Sequence, residues 1–464
     1  MLDATLLSRI QFGFTMTAHI VYPSISIGIV SFLVLMEARY LATGDKHFLN
    51  ICKFWTKIFA LTFGMGVVSG IVMEFQFGTN WGGFSEKVGP LLGALFTYEV
   101  LTAFFVEAGF LGIMLFGWNK VDAFLHFVST CMVAFGTTLS AFWIMSANSW
   151  MQTPVAYQIT PEGQFMTQDW AGVILSPTAM TRFFHMIVSC YLTGAFVILG
   201  VSAFYLITKT HTDFAKTCFN TALVIACIFS PTQILIGHSV GEQVHHYQPL
   251  KTAAMEGIWD TVEGAPALIF AWPDQKAEKN YLELGIPKLA SFINTGDWDA
   301  KMIGLKSAPP ENRPNMFTVF WTFRIMVGCG LAMLFISYLG LILRFLGLHT
   351  SNFYFLALCV LGSPLGVIAL ETGWMTAEIG RQPWAVYNLL KTSEVASRVN
   401  PNQVLTSLIL LIIVYGIIFG YFYFKYLFKV IAKGPMRTDD HSDLAFHYLS
   451  TFEDEVKHSE VDDK

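Results

Sequence analysis

Charged residues are scarce in this chain of 464 residues, and their scarcity excludes an ordinary soluble protein. Asp, Glu, Lys and Arg together supply only 13% of it, whereas they supply about a quarter of a typical soluble domain. Hydrophobic residues supply 54%, and the mean hydropathy is +0.53. The net charge of −5 is spread along the chain and gives no indication of nucleic-acid binding. The composition predicts a polytopic membrane protein.

Cysteines with a paired spacing are also lacking. The seven cysteines lie mostly inside apolar runs, and none belongs to a Cys-x-x-Cys pair. This pattern argues against a disulfide framework and against a thiolate metal centre. The cysteines are therefore interpreted as small apolar packing residues. Any metal chemistry must then use His, Met and carboxylate side chains.

Long apolar runs are abundant, and a membrane-spanning helix needs about 20 such residues. Nine runs meet this length, so the fold class is all-α with about nine transmembrane helices. The first run is longer than a signal-peptide core, so we expect it to be retained as a span. The predicted spans are roughly 15–37, 54–77, 91–117, 122–147, 183–208, 217–238, 316–345, 352–377 and 404–430.

Lys and Arg in the short connections predict the orientation, because they concentrate on the cytoplasmic side. The connections 38–53, 118–121 and 209–216 are basic, as is the end of the last span, whereas 149–181 has no Lys or Arg. The exception is 378–403, which has three. The N-terminus is predicted outside and the C-terminus in the cytoplasm.

This topology divides the chain into four parts. Residues 1–238 hold spans one to six, 316–436 hold spans seven to nine, and 437–464 form a polar cytoplasmic tail. The long connection 239–315 is polar, lies outside, and contains Trp259 and Trp272 among turn-forming residues. We expect it to form a folded cap, because a connection of that length is usually functional or disordered.

The stretch from Glu371 to Trp384 is the leading site candidate. Glu371 and Glu378 are seven residues apart, nearly two helical turns, so they share one helix face. Gly380 and Pro383 predict that the helix ends there. Trp and Arg gather at membrane surfaces in any case, but two glutamates at the end of an apolar span are costly and usually functional.

Further unusual side chains fall in the outer half of the predicted spans. A charged carboxylate near the middle of a spanning helix costs about 2.5–3.5 kcal/mol, so several of them together predict a buried redox or proton-translocating site. His and Met can ligate haem iron without cysteine, while a cofactor-free ion-coupled transporter is the alternative. The residues concerned are His19, Glu74, Glu99, Glu107, His185 and Met326.

Over essentially its full length the chain resembles subunit I of the cytochrome bd-type quinol oxidases. Several long motifs occur in the same order as in that family. They are Leu7-Ser-Arg-Ile-Gln-Phe with His19, Met73-Glu-Phe-Gln-Phe-Gly-Thr-Asn-Trp81, Ala147-Asn-Ser-Trp150-Met-Gln, Phe323-Arg324-Ile-Met326-Val and Gly380-Arg381-Gln-Pro-Trp384.

The resemblance implies three haems near the outer face: a low-spin haem b, a high-spin haem b and a haem d. It implies that His185 and Met326 are the axial ligands of the low-spin haem, with Arg324 beside it. His19 and Glu378 would serve the two haems of the oxygen-reducing centre, in an order left open. The other implied roles are the proton path (Glu99, Glu107 and Ser140), quinol contacts (Lys251 and Glu256) and supporting positions (Lys57, Glu74, Trp374, Arg381 and Trp384).

The implied reaction is oxidation of membrane quinol outside and four-electron reduction of O2 to water with cytoplasmic protons. This would build a membrane potential in the bacterial inner membrane without pumping. The implied partners are subunit II, a small single-span accessory subunit, membrane lipid, and ubiquinol or menaquinol. The alternative within redox proteins is a membrane cytochrome that only relays electrons.

Two features indicate the branch of the family. The 239–315 connection lacks a long insertion, which is typical of the short-loop form. The run from Gly237 to His246 resembles the cyanide-insensitive branch, in which a third haem b replaces haem d. Residue 108 is Ala where another branch has a hydroxyl.

Overall fold

The computed structural model describes residues 3–435, and within them nine helical segments are long and apolar enough to cross a membrane. This confirms the predicted all-α polytopic fold. The predicted polar tail at 437–464 lies outside the described residues. In chain order the helices are α1 (Ala4–Thr43), α2 (Lys46–Thr79), α3 (Gly82–Glu99), α4 (Phe105–Phe116), α5 (Ala123–Gln152), α6 (Trp170–Ile174), α7 (Ala179–Thr208), α8 (Thr212–Tyr247), α9 (Pro249–Glu256), α10 (Leu289–Thr295), α11 (Met316–Phe345), α12 (Phe353–Gly362), α13 (Leu365–Ile379), α14 (Pro401–Leu411) and α15 (Gly420–Lys433).

Three of the nine segments each contain two α-helices. A π-helical turn at Val100–Phe104 joins α3 to α4, and a longer one at Ile412–Phe419 joins α14 to α15. Helices α12 and α13 form the eighth segment, Phe353–Ile379. The helices α6, α9 and α10 lie in the connections. Most helices extend beyond the apolar runs, because polar residues at their ends also adopt helical conformation.

Asp and Asn side chains define the starts of several helices. Asp45 accepts from the backbone N–H of His47 at the start of α2, and Asp122 accepts from Phe124 and Leu125 at the start of α5. Short oxygen-bearing side chains satisfy N–H groups that have no partner inside the helix. These caps therefore place the helix ends next to short turns.

The chain crosses the bundle repeatedly, so its helix ends fall at two opposite surfaces. We call the surface that carries the connection between α8 and α11 the loop end; it also holds the start of α1 and the end of α13. The other surface holds the turns after α1, α4 and α7. The loop end is where most predicted site residues lie.

Helices α7, α8, α11 and α13 form a closed ring, in which each packs against the next and α13 packs back against α7. Helix α1 packs against α2, α5 and α7. Its contact with α7 depends on Gly28 and Gly194, since a Cβ on Gly194 would stand 2.6 Å from the Gly28 backbone. Such close approach needs small residues at the contact.

The connection between α8 and α11 is folded, as its Trp and turn residues indicated. Helix α8 continues past residue 238 to Tyr247, so this cap begins later than the apolar pattern suggested. Trp259, Met302 and Leu305 are buried in its small core, and Trp259 Nε1 donates to Asn280 Oδ1 (2.9 Å). Its strands are β3 (Val262–Glu263) with β6 (Lys301–Met302), and β4 (Ala267–Asp274) with β5 (Lys279–Ile286), both pairs antiparallel.

Two smaller hairpins complete the loop end. They are β1 (Tyr157–Ile159) with β2 (Phe165–Thr167), and β7 (Trp384–Val386) with β8 (Leu390–Lys391). Both pack with α3 and the end of α5 around the buried Trp150 and Val386. The segment that follows α13 is thereby fixed against the bundle.

Candidate functional site

Glu378 is at the centre of a polar cluster at the loop end. Helix α13 ends at Ile379, as Gly380 and Pro383 predicted, and this places Glu378 in its last turn. Glu378 Oε1 accepts from Asn148 Nδ2 (3.0 Å) and Gln152 Nε2 (3.1 Å), both on α5, and Oε2 accepts from Arg381 Nη2 (2.5 Å). The carboxylate is thus held in one orientation by three donors.

The cluster has more positive than negative charge. Arg182, at the start of α7, donates to Asn148 Oδ1 (2.6 Å) and Ser149 Oγ (3.2 Å). Two guanidinium groups, which stay protonated in proteins, therefore face the single carboxylate of Glu378. Arg381 Nε and Nη1 are buried and have no hydrogen-bond partner among the described residues. Such donors call for a further anion, and the carboxylates of haem propionates fit this requirement.

Lys251 connects this cluster to the cap. It lies on α9, is 4% exposed, and its Nζ donates to Gln152 Oε1 (2.6 Å). Burial lowers the Lys251 pKa well below its ordinary value; Arg182 and Arg381 add to this effect, and Glu378 opposes it. Lys251, Gln152 and Glu378 therefore form one hydrogen-bonded chain from the cap to α13.

Glu256, also on α9, contacts α11. It is 6% exposed, and its Oε2 accepts from Arg324 Nη2 (2.9 Å). Arg324 Nε also donates to the Leu268 carbonyl on β4 (2.5 Å), and its guanidinium lies over the rings of Phe320 and Phe323. Arg324 is two residues before Met326, so the cap is attached to α11 next to a predicted haem ligand.

The environment of His19 fits an iron ligand. Its Nδ1 is 2.9 Å from Ser69 Oγ, and that hydroxyl donates to the Met65 or Gly66 carbonyl. With the hydroxyl proton on one of these carbonyls, Ser69 Oγ accepts from the Nδ1–H tautomer of His19. The Nε2 lone pair is then available, which is the arrangement expected when an outer partner orients a ligating histidine.

His185 and Met326 lie on α7 and α11, at opposite corners of the four-helix ring. His185 Nδ1 is buried without a partner among the described residues, and Nε2 is 3.4 Å from Gln233 Nε2. An imidazole with so few polar contacts suits a side chain whose partner is a metal ion. The donor types, imidazole and thioether, are those of low-spin electron-transfer haems.

A glycine faces each of these three side chains. A Cβ on Gly70 would be 3.2 Å from His19 Cε1, on Gly237 3.2 Å from His185 Cε1, and on Gly373 3.0 Å from Met326 Sδ. A larger residue at any of these positions would press against the side chain. The residues present therefore fit haem groups held from α1, α7 and α11.

Glu99 and Glu107 lie on either side of the π-helical turn and both face α5. Glu99 Oε1 accepts from Ser140 Oγ (2.7 Å), and a Cβ on Gly136 would stand 2.6 Å from Glu107 Cγ. Both carboxylates are buried. π-helical turns occur frequently at functional sites, and this one brings the predicted pair together with Ser140.

The remaining predicted residues are more dispersed. Trp374 packs beside Ile20, Ile27, Cys190 and Leu370, whereas Trp384 lies on β7 under Lys391 Nζ (5.4 Å from the ring centroid). Glu371 Oε1 is buried without a hydrogen-bond partner among the described residues. Glu74 is exposed and Lys57 half-buried, both on α2. The structure brings Arg381 to Glu378 but places Trp384 in the hairpin beyond them.

Sequence reasoning missed Asn148, Gln152 and Arg182. The first two lie inside a motif that carried the resemblance, yet no role was assigned to them. Their spacing of four residues at the end of an apolar span was the available signal, because it puts both amides on one helix face. Arg182 was overlooked because it directly follows the segment 149–181, which was considered only for its lack of Lys and Arg.

Known proteins are similar to this chain in sequence and in fold. A sequence model of the family described as cytochrome bd terminal oxidase subunit I matches residues 7–435. Cytochrome bd ubiquinol oxidase subunit 1 of Bacillus subtilis is 36% identical, over 96% of this chain and 99% of that protein. Cytochrome bd-II ubiquinol oxidase subunit 1 of Escherichia coli is 32% identical, over 89% and 94%.

A solved structure is similar as well. The bd oxidase structure from Geobacillus thermodenitrificans superposes with a TM-score of 0.86 at 29% identity, covering 94% of this chain and 99% of that chain. The similar fold, the ordered motifs and the family match over nearly all described residues lead to one conclusion. The chain belongs to the cytochrome bd terminal oxidase subunit I family.

Proposed function

We propose that this chain oxidises membrane quinol at the loop end and reduces O2 to water with protons drawn from the opposite surface. It is a multi-pass protein of the bacterial inner membrane and a subunit of a terminal quinol oxidase, which works with a subunit II and contains haem. Oxidation of quinol yields two electrons and two protons, and reduction of O2 to water consumes four of each. The sites for these two half-reactions must therefore exchange electrons but need not share protons.

The observation that carries this proposal is the ion pair between Glu256 and Arg324. It joins a buried carboxylate of the cap to the helix turn that presents Met326. A carboxylate at this place can take a proton from a quinol hydroxyl while the electron leaves toward α11. Lys251, on the same short helix, would bind the second oxygen of the quinol headgroup or the negative charge left by the loss of a proton.

The residues proposed to hold the haems are the two histidines and the methionine that face glycines, together with Glu378 in the polar cluster. His185 and Met326 would ligate the low-spin haem b, and His19 and Glu378 the two haems of the oxygen-reducing centre, a high-spin haem b and either haem d or a third haem b. When bound, these haems would carry single electrons and bind O2. The protein's own part is to fix the ligands, to bind propionates at Arg381, and to keep Trp374 packed beside the site.

Glu99, Glu107 and Ser140 would move protons toward this centre. The basic turns lie at the surface opposite the loop end, which supports an outside loop end and a cytoplasmic opposite end. Protons released from quinol outside and taken up from the cytoplasm would create a membrane potential without pumping. The proposed quinol is ubiquinol or menaquinol, and a small accessory subunit would complete the complex.

Two measurements on the purified complex test the proposal. A reduced-minus-oxidised absorption spectrum should show haem bands, and their absence would instead favour a cofactor-free ion-coupled transporter. In the second measurement, the complex should take up oxygen when a quinol donor is supplied. A complex with haem but without oxygen uptake would be an electron relay. Extraction of the haems would then identify haem d or a third haem b.

Glu256→Gln should lower quinol turnover by at least about 100-fold while haem content stays intact, because the amide keeps the shape but cannot take a proton. Glu256→Ala is a poorer test, since it removes both oxygen and shape opposite the partly buried Arg324 guanidinium, and loss of one partner of a buried pair costs about 3–5 kcal/mol. The control is Glu263→Gln, at an exposed position of the same cap. Steady-state oxygen uptake against quinol concentration provides the measurement. Loss of haem in Glu256→Gln would show that the pair is structural.

A further inference from the structure

Glu37 and His126 form a buried pair that the predicted sites do not use. Glu37, on α1, is 2% exposed, and His126, on α5, is 3% exposed. Glu37 lies six residues before the end of α1, and His126 is the fourth residue of α5. The pair is therefore near the surface opposite the loop end, far from the proposed haem ligands.

Hydrogen bonds around the pair leave one shared proton. His126 Nε2 is 3.1 Å from the Met114 carbonyl, which only accepts, so Nε2 carries a proton. Thr130 Oγ1 donates to Glu37 Oε2 (2.7 Å). The remaining contact joins His126 Nδ1 to Glu37 Oε1, and one proton lies between these two atoms. With that proton the pair is neutral overall, and without it the charge is −1.

The pair lies in line with the predicted proton path. Met114 is seven residues beyond Glu107 on α4, which is about 10 Å of helix rise. His126 is ten residues before Gly136 on α5, about 15 Å of rise, and Gly136 is where Glu107 contacts that helix. Along the packed helices α4 and α5, the order from the opposite surface toward the loop end is therefore the Glu37–His126 pair, Glu107 and Glu99.

A purely structural role explains the pair poorly. Burying ionisable groups is costly, and well-packed apolar residues often stabilise a protein as much or more. Besides His126, the titratable groups close enough to feel the charge of Glu37 include the thiols of Cys52 on α2 and Cys131 on α5. Trp118, in the turn after α4, covers the His126 ring with 3.8 Å between centroids. A protected proton site near the surface matches this arrangement.

We propose that Glu37 and His126 store one proton on the way from the opposite surface to Glu107 and Glu99. This inference rests on the proposed function, because it extends its proton path. A proton arriving at the empty pair binds between Glu37 Oε1 and His126 Nδ1 and restores neutrality. The same proton then leaves toward Glu107, and the pair returns to a charge of −1, so no other reactant is needed.

The test compares two variants in the complete two-subunit complex. Glu37→Gln keeps the side-chain length and hydrogen bonds but cannot store the proton, whereas Glu37→Asp keeps a carboxyl group at altered geometry. The proton store predicts that Glu37→Gln lowers the rate of proton uptake per haem by at least about ten-fold, and that Glu37→Asp retains more of it. A structural pair predicts the reverse order. Proton uptake is followed with a pH-sensitive dye after oxygen is added to the reduced complex.

A second measurement uses infrared difference spectra between the oxidised and reduced complexes. The wild type should show a protonated-carboxyl band that shifts in D2O, and Thr130→Ala should move this band because it removes the hydroxyl donor to Glu37. If no such band responds to Thr130→Ala, the inference is overturned even where the Glu37 variants fail to assemble. Wild-type complex without quinol oxidation would instead refute the proposed function, so the two failures are distinguishable.

Discussion

Glu378→Gln should remove one of the two haems of the oxygen-reducing centre and lower oxygen uptake by at least about 100-fold. Loss of a residue that only orients a metal ligand already costs up to about 100-fold, and Glu378 is proposed as a ligand itself. Gln has nearly the same shape, so the change removes charge and ligand strength with little change of volume. Its amide nitrogen would also place donors opposite Arg381, Asn148 or Gln152, which already donate to this position. Arg381 would then face a neutral amide instead of the Glu378 carboxylate.

The matched control is Glu371→Gln, seven residues earlier on α13. Glu371 lies in the same helix and undergoes the same substitution, but its Oε1 has no hydrogen-bond partner among the described residues. Haem content per protein, the absorption spectrum and oxygen uptake should be measured for both variants. Equal losses in the two variants would contradict the specific role of Glu378, as would an intact haem complement in Glu378→Gln.

Met326→Leu should convert the low-spin haem to a high-spin form and abolish quinol-driven electron transfer, while the other haem signals persist. Leu and Met have similar volumes, and such exchanges usually cost less than about 1.5 kcal/mol. The fold should therefore survive, and only the thioether ligand is lost. Low-temperature electron paramagnetic resonance and the reduced-minus-oxidised spectrum report the spin state directly.

Met333→Leu is the control for this variant. Met333 lies two helical turns further along α11, where it is 4% exposed in the main hydrophobic core. Both substitutions exchange the same side chains in the same helix, so they share any general effect on packing. An unchanged low-spin signal in Met326→Leu would refute the assignment. Equal changes in both variants would point to a packing defect.

The spans were predictable because apolar length is set by the membrane, which acts on every helix in the same way. The end of α13 was predictable as well, since Gly380 and Pro383 act locally. The π-helical turn at Val100–Phe104 was not. Eight residues at about 100° each would leave Glu99 and Glu107 about 80° apart, whereas one extra residue in the turn reduces this to about 20°. The turn packs against α5, and a single sequence does not show that contact.

Partnerships between distant residues were also beyond the sequence. Glu378 stood out because charge is rare in apolar surroundings, whereas Glu256 was identified only by its match to a quinol-contacting position of the family. Their partners Gln152 and Arg324 are far away in the chain, and nothing in a single sequence pairs them. Glu37 and His126 were overlooked for the same reason, since each by itself is compatible with a helix end near the membrane surface.

The chain Lys251–Gln152–Glu378 has a thermodynamic consequence for inhibitors. If a molecule that binds the cap changes the hydrogen bond of Lys251, it changes the field at Glu378 and thus the free energy of reducing the metal proposed to be there. Linkage is reciprocal, so the affinity of that molecule must differ between the oxidised and reduced enzyme by the same free energy. Measuring the affinity of such an inhibitor at two poised potentials would therefore give the free energy that couples the cap to reduction at Glu378.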